Sequence, residues 1–175
     1  MATPPPIRIE RIFISPGHNF FGHHGRPPSE HPTMEVREVE CVAGRGLRGD
    51  RYFDYKPDYP GQITFISAEV FGEVSQQLGV AGKSPGVTRR NVVTRGVDLN
   101  SLVGKKFLVQ GIEFEGVAEC SPCNWMNQAV APGAETSLTE RGGLRAKILT
   151  TGILRVTHEL LCCDSRGRQV FTYGL

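Results

Sequence analysis

The chain has 175 residues, 39% of them hydrophobic, and its formal net charge is +2. This length suits one sizeable core and is short for two independent folding units. We therefore expect a single domain over residues 1–175, with its core at about 7–157 and a C-terminal strand or tail at 158–175. A charge so close to neutral argues against a nucleic-acid partner.

The sequence shows neither a secretion-type N-terminus nor a run of about 18 apolar residues that could span a bilayer. We expect a cytoplasmic protein with no membrane partner. Five cysteines are present, and an odd number without a secretion signal is typical of thiols that stay reduced. A functional cysteine would then be catalytic, redox-active or a metal ligand.

The N-terminal part of the chain alternates between extended segments and glycine-rich loops. A strand is predicted at Ile7–Ser15, and a loop rich in Gly, Pro and His follows from His18 to Pro32. Loops of this length inside compact domains are often functional. An extended segment at Met34–Cys41 precedes a turn-rich stretch, in which Arg48 and Asp50 flank Gly49.

The middle of the chain predicts one clear helix. Ser67 is a suitable N-cap, apolar residues at 70, 71, 74 and 78 fall on one face, and Gly79 ends the pattern. A hairpin is predicted around Gly111, and a second short helix near Pro122. Further strands are predicted at Gln62–Ile66, Arg90–Thr94, Ala146–Thr150, Ile153–Leu161 and Gln169–Tyr173.

About eight predicted strands with few helices indicate a mainly β fold. Because strand edges must be paired or covered, we expect a closed or partly open β-barrel with a few short helices.

The strongest local motif is Cys120-Ser-Pro-Cys123, where a predicted strand runs into a loop or helix start. Cys123 could be a low-pKa nucleophile or a soft metal ligand, and the pair could also be a dithiol redox couple or half of a zinc site. Zinc would need two more ligands, and the adjacent pair Cys162-Cys163 suits one tetrahedral centre poorly. A purely structural pair of buried cysteines is the remaining alternative.

A second candidate is the segment Arg89-Arg90-Asn91. If these residues lie on a strand, Arg89 and Asn91 share a face and can converge on a phosphate. An exposed basic pair at a strand end is the alternative.

Other candidate residues favour structural interpretations. The histidines at 18, 23, 24 and 31 lack a metal-ligand spacing, which favours a solvated loop over a metal site. His158 lies in an apolar strand and is expected to be structural. Trp125 is expected to anchor packing or to wall a pocket.

Seven short blocks resemble the MOSC domain family, the C-terminal domain of molybdenum-cofactor sulfurases, in order and spacing over residues 7–157. The chain resembles a small stand-alone bacterial-type member. The blocks are Gly46-Leu-Arg-Gly-Asp-Arg-Tyr52, Gln62-Ile-Thr-Phe-Ile-Ser67, Arg89-Arg-Asn-Val-Val93, Gly96-Val-Asp-Leu99, Leu102-Val-Gly-Lys105, Cys120-Ser-Pro-Cys123 and Arg141-Gly-Gly-Leu-Arg-Ala146.

The resemblance implies a β-barrel with a pocket for a molybdenum-pterin cofactor and a reactive Cys123, which would carry a persulfide or bind molybdenum as a thiolate. It further implies that Arg89, Asn91 and Ser121 contact the pterin and its phosphate. We also count Arg48 among the candidate cofactor-binding residues.

From the 175 residues we expect neither the additional N-terminal barrel nor the desulfurase-like segment that accompany this domain in larger relatives. We therefore expect a separate partner, either a sulfur donor such as a cysteine desulfurase or an electron-transfer protein. Three functions stay open: a cofactor-binding or sulfur-carrying protein, a molybdenum-dependent reductase of N-hydroxylated compounds, and a thiol-disulfide protein that uses Cys120 and Cys123.

Overall fold

The computed structural model describes residues 7–19, 27 and 29–157 with their side chains, and residues 159–163 and 169–173 as backbone. His23, His24 and His158, together with the side chains of Cys162 and Cys163, lie outside the described residues.

The prediction of a mainly β fold with few helices is confirmed by the element order. The helices are α1 (Ala68–Gln77), α2 (Asn124–Ala129) and α3 (Ala134–Ser137), and single 3₁₀ turns lie at Pro85–Thr88 and Leu99–Leu102. The strands are β1 (Arg8–Ile14), β2 (Met34–Val36), β3 (Glu38–Val42), β4 (Gly46–Leu47), β5 (Ile63–Ser67), β6 (Val92–Arg95), β7 (Lys106–Val109), β8 (Ile112–Glu119), β9 (Leu144–Ile148), β10 (Gly152–Arg155), β11 (Glu159–Cys163) and β12 (Gln169–Tyr173).

Seven strands form one mixed sheet in the order β2-β1-β6-β5-β9-β8-β7. Within it β5 and β6 pair in parallel, with α1 as their crossover connection, and the other neighbours pair antiparallel. A three-stranded sheet has the order β10-β3-β4, and β11 pairs with β12. In the described part of the chain the outer strands β2 and β7 are not paired with each other, so closure into a barrel stays a prediction.

The main core lies between the two larger sheets, because both contribute buried apolar side chains to one cluster. Ile12, Phe65 and Phe114 come from the seven-stranded sheet, and Val39 and Leu154 come from the three-stranded one. Alternate residues along a strand point to the same face, which is why β1, β3, β5, β8 and β9 each supply two or three buried side chains to this cluster.

The helix predicted from Ser67 onward is α1. The Ser67 hydroxyl accepts a hydrogen bond from the Val70 amide at 3.2 Å and so caps the first turn. Phe71 and Val74 are buried in a second apolar cluster on the other face of the sheet. Helices α2 and α3 contribute Met126, Val130, Ala134 and Leu138 to that cluster.

The hairpin predicted around Gly111 joins β7 to β8. Its two loop residues, Gln110 and Gly111, both have positive φ values, 52° and 80°. That backbone matches the two-residue turns that hairpins favour.

No helix among the described residues is long and apolar enough to cross a membrane.

Candidate functional site

A cavity of about 280 Å³ opens where several chain segments meet at one end of the seven-stranded sheet. The turn after β1, the loop after β4, the turn before β6 and the segment after β8 all line it. Its size is close to the lower end of the range for small-molecule sites, about 300–1,000 Å³. Each segment follows or precedes a strand, so the sheet fixes their relative positions.

The cavity is strongly cationic. Four arginines line it, namely Arg51, Arg89, Arg90 and Arg145, and no acidic residue is among the described lining residues. The chain as a whole carries a formal net charge of only +2, so positive charge is concentrated here. A concave site of this kind favours an anionic ligand.

The Cys120-Ser-Pro-Cys123 segment forms one wall. Cys120 is buried, with 4% of its surface exposed, and its amide donates to the Gly143 carbonyl at 2.7 Å. Cys123 is partly exposed, lies at the N-cap of α2 and lines the cavity together with Ser121. Both cysteines are free thiols. The predicted helix start near Pro122 is thus confirmed, and it leaves Cys123 accessible.

Glycine at position 142 lets the backbone approach this cysteine segment closely. A Cβ added to Gly142 would lie 2.6 Å from the Cys120 carbonyl oxygen and 2.9 Å from a ring carbon of Pro122. Its amide donates to the Glu119 side chain at 3.1 Å. Close packing therefore requires glycine at position 142, because a side chain there would displace the wall of the cavity.

Arg90 fastens the same wall to the turn before β6. Its Nε donates to the Gly142 carbonyl at 3.1 Å and its Nη1 to the Thr88 carbonyl at 3.2 Å. Its Nη2 donates to the carbonyls of Cys120 and Ser121, at 2.8 and 3.4 Å. All three guanidinium nitrogens are thus bonded to backbone, which is a structural role.

Arg89 is placed differently, although it is the next residue along the chain. Its backbone is left-handed, with φ 60°, where it ends the 3₁₀ turn Pro85–Thr88. Nη2 donates to the Ser15 hydroxyl at 3.1 Å and to the Gly17 carbonyl at 2.6 Å. Nη1 is buried and has no hydrogen-bond partner.

An unpaired buried donor on a cation is costly, so its occurrence in a cavity wall indicates a binding group. Burial and, to a lesser extent, the neighbouring Arg51 lower the pKa of Arg89 to about 10, against the opposing effect of Asp50. The guanidinium remains protonated at neutral pH.

Asp50 organises the wall behind Arg89. Its fully buried carboxylate accepts hydrogen bonds from the Ser15 amide at 3.1 Å, the Asn91 side-chain amide at 3.2 Å and Arg51 Nη1 at 3.2 Å. Arg51 in turn donates through Nη2 to the Arg89 carbonyl at 3.0 Å. One carboxylate thus orients both the turn after β1 and the second arginine of the cavity.

The expectation that Arg89 and Asn91 share a strand face was wrong, because β6 begins at Val92 and Arg89 has a left-handed backbone. Asn91 is 1% exposed, and its side chain bonds Thr64, Phe13 and Asp50. Its amide therefore joins neighbouring strands and is not among the residues that line the cavity.

Arg48 also lies outside the described cavity lining. It is exposed and forms an ion pair with Glu40, and its guanidinium stacks over the Phe53 ring with 4.9 Å between the guanidinium carbon and the ring centroid. Of the predicted site residues, the structure brings Arg89, Ser121 and Cys123 to one cavity and places Asn91 and Arg48 elsewhere.

Another part of the cavity lining is aromatic, since Tyr52 and Tyr59 belong to it. The rings of Tyr52 and Tyr59 stack with centroids 5.0 Å apart, and His18 lies edge-on to Tyr52 at 4.9 Å. Burial raises the pKa of Tyr59, and the nearby Tyr52 raises it further. Planar side chains of this kind suit a flat ligand.

Arg145 connects the aromatic wall with the cysteine wall. Burial lowers its pKa, but Cys120, Tyr59 and Tyr52 raise it, so that the net pKa lies above its ordinary value.

Several residues that line the cavity were not predicted as site residues, among them His18, Arg51 and Arg145. Arg51 and Arg145 belong to blocks that carried the resemblance, and that position was the available signal. His18 was assigned to a solvated loop, and only the fold shows that the turn after β1 reaches the cavity. Trp125 both packs and walls the pocket, and its indole donates to the Val87 carbonyl at 2.8 Å.

No group of three or more His, Cys, Asp or Glu residues that could hold a metal ion occurs in the described part of the chain. A metal at Cys123 would therefore take its remaining donors from a cofactor or from solvent. The cavity fits a molybdenum-pterin cofactor in kind, because it combines a soft sulfur, donors for a phosphate and a planar aromatic wall.

The comparison with protein families agrees with this arrangement. The family model of the MOSC domain matches residues 44–160, more than half of the chain. No curated protein sequence matches the chain.

The solved structures that are similar in fold include two bacterial proteins. The YuaD protein from Bacillus subtilis has a TM-score of 0.65 and 18% sequence identity, with 86% of this chain and 91% of that chain covered. YiiM from Geobacillus stearothermophilus has a TM-score of 0.60 and 15% identity, with 86% and 71% covered.

Proposed function

The chain belongs to the MOSC domain family, and from this premise we propose that it binds a molybdenum-pterin cofactor in the cationic cavity, with Cys123 as its reactive sulfur. Cys123 acts as a thiolate ligand of the metal or carries sulfur to it as a persulfide. Both roles need one accessible, soft sulfur beside the bound cofactor.

One observation carries this proposal: Arg89 lines the same cavity as Cys123, and its buried Nη1 has no hydrogen-bond partner. A phosphate oxygen would supply the missing acceptor and would offset the desolvation of the guanidinium. Arg51, oriented by Asp50, provides a second positive charge on the same side.

The remaining lining residues support the same ligand. Ser121 supplies a hydroxyl next to the cysteines, while Trp125 and Met126 give an apolar surface that excludes water. The bound cofactor would supply a metal centre that exchanges electrons or sulfur. Asn91 acts indirectly in this proposal, since its amide holds Asp50 and neighbouring strands rather than the ligand.

A partner is part of the proposal. A sulfur donor, such as a cysteine desulfurase, would load Cys123 in the carrier role, and an electron-transfer protein would be needed for reduction of N-hydroxylated compounds. The partial exposure of Cys123 allows such an encounter, whereas Cys120 is buried. This difference favours a role centred on Cys123 over a symmetric dithiol pair.

The proposal is tested by measuring molybdenum and pterin in protein expressed in a host that makes the cofactor. We compare wild type with Cys123→Ala, and use Cys41→Ala as a matched control because Cys41 is a free thiol buried in the main core. Molybdenum that is lost only from Cys123→Ala identifies a thiolate ligand.

The other outcomes are equally distinct. A persulfide detected by mass spectrometry on wild type and on Cys41→Ala, but not on Cys123→Ala, identifies the carrier. Absence of molybdenum, pterin and persulfide from all three proteins contradicts the proposal, and a disulfide between Cys120 and Cys123 would then favour the thiol-disulfide function.

A further inference from the structure

The turn after β1 brings a titratable residue into the cavity, and its role rests on the anion site proposed above. We propose that His18 is the proton-dependent anion-binding residue of this cavity: it is neutral while solvent fills the cavity and takes up a proton when an oxyanion binds beside Arg89. His18 precedes residues 44–160, the region that the family model matches.

The position of His18 is fixed by the arginine that would bind the anion. Arg89 Nη2 donates to the Gly17 carbonyl and to the Ser15 hydroxyl, on the turn that leads directly into His18. The Ser15 amide is held by Asp50. Arg89 thus anchors the imidazole-bearing turn through one nitrogen, while its other terminal nitrogen, Nη1, lacks a partner.

Aromatic contacts hold the imidazole ring itself. Tyr52 packs edge-on against it with centroids 4.9 Å apart, and Tyr55 does so at 5.8 Å. One residue later, the Asn19 side chain bonds both the amide and the carbonyl of His31, at 2.7 and 2.9 Å. The residue that follows His18 is therefore held against His31.

The charges around His18 explain why this residue should be protonated when an anion occupies the cavity. Burial lowers the pKa of His18, and Arg51 and Arg89 lower it further; His31 has a weak effect in the same direction, while Asp50 opposes them. The titratable side chains of Tyr52 and Tyr55 also pack against the ring.

A bound dianion would offset the two guanidinium charges and would raise the pKa of His18 toward or above its ordinary value. The proton comes from solvent, and no covalent bond changes.

The protonation of His18 and the binding of the anion favour each other. Because the bound state holds more protons than the free state, anion affinity rises as the pH falls through the bound-state pKa and levels off below the free-state pKa. Each unit by which the anion raises the pKa of His18 adds about tenfold to the affinity at low pH relative to high pH.

The test uses sulfate, which stays a dianion across the range from about pH 5.5 to 8.5, so that the ligand's own titration does not contribute. We measure sulfate affinity by calorimetry at several pH values, and follow the His18 imidazole by NMR with and without sulfate. His18→Gln keeps a polar side chain without the titration, and His31→Gln is the matched control on the same loop.

We expect wild type and His31→Gln to bind sulfate more tightly at low pH, with the His18 NMR titration moved to higher pH by sulfate. His18→Gln should retain the high-pH affinity and lose the increase. If sulfate binding is lost in Arg89→Met but has the same pH dependence in His18→Gln as in wild type, the role of His18 is overturned while the anion site stays intact. Absence of sulfate binding by wild type at every pH would contradict the anion site itself, and with it this inference.

Discussion

Two walls of the cavity are held by neighbouring arginines that use their guanidinium groups in different ways. Arg90 donates hydrogen bonds from all three guanidinium nitrogens to backbone carbonyls and connects the cysteine segment to the turn before β6. Arg89 fastens the turn after β1 with Nη2 and leaves Nη1 without a partner. A buried cation whose donors are all paired stabilises the fold, whereas a cavity-lining arginine with a buried unpaired donor is suited to bind a ligand.

The largest expected effect on stability is at the fully paired arginine. Arg90→Met would leave the carbonyls of Thr88, Cys120, Ser121 and Gly142 without these bonds, and we expect the free energy of unfolding to fall by about 3 kcal/mol. Urea denaturation measures this. Arg48→Met is the control, because Arg48 is exposed and pairs only with surface groups, and should leave stability unchanged. Similar losses in both variants would contradict the role of Arg90.

The next largest effect is expected at the carboxylate behind the Arg89 wall. Asp50→Asn keeps the shape of the side chain but replaces a carboxylate that accepts four hydrogen bonds with an amide. The NH₂ group of that amide would face donors, which come from Ser15, Arg51, Tyr52 and Asn91. We expect a loss of about 2 kcal/mol in urea denaturation. A loss below about 0.5 kcal/mol would show that the network is not organised by this charge.

The smallest effect on stability is expected at Arg89 itself. Arg89→Met removes two hydrogen bonds but also relieves a desolvated charge with an unpaired donor, so the change should stay below about 1 kcal/mol. The same denaturation series gives the comparison directly. If Arg89→Met costs as much as Arg90→Met, the distinction between a structural and a binding arginine fails.

The sequence predicted those parts of the fold whose signals are local. Ser67 and the apolar face after it defined α1, and Gly111 marked the hairpin between β7 and β8. Closure into a barrel stays a prediction, because pairing between distant strands leaves no local pattern in the sequence. The one-turn helix α3 was missed, since four residues show no periodicity.

Site residues that belong to a sequence motif could be predicted. Site residues whose position depends on contacts between distant parts of the chain could not. Cys123, Ser121 and Arg89 all line it. The left-handed backbone of Arg89 and the burial of Asn91 against Thr64 depend on contacts between β1, β5 and β6, and so the expected shared face was wrong. His18 was missed for a related reason, because its loop sequence resembles a solvated segment, and its turn reaches the site through residues distant in sequence, such as Arg89 and Tyr52.

In the proposed complex Arg89, whose Nη1 has no partner within the protein, holds the cofactor's phosphate. The most direct test is the pterin content per protein of wild type, Arg89→Met and Arg48→Met, all expressed in a host that makes the cofactor. Because both arginines were candidates from the sequence and only Arg89 lines the cavity, we expect pterin to be lost from Arg89→Met by tenfold or more, about 1.4 kcal/mol of binding free energy, and retained in Arg48→Met. Equal pterin in all three proteins, or loss from Arg48→Met alone, would contradict the account.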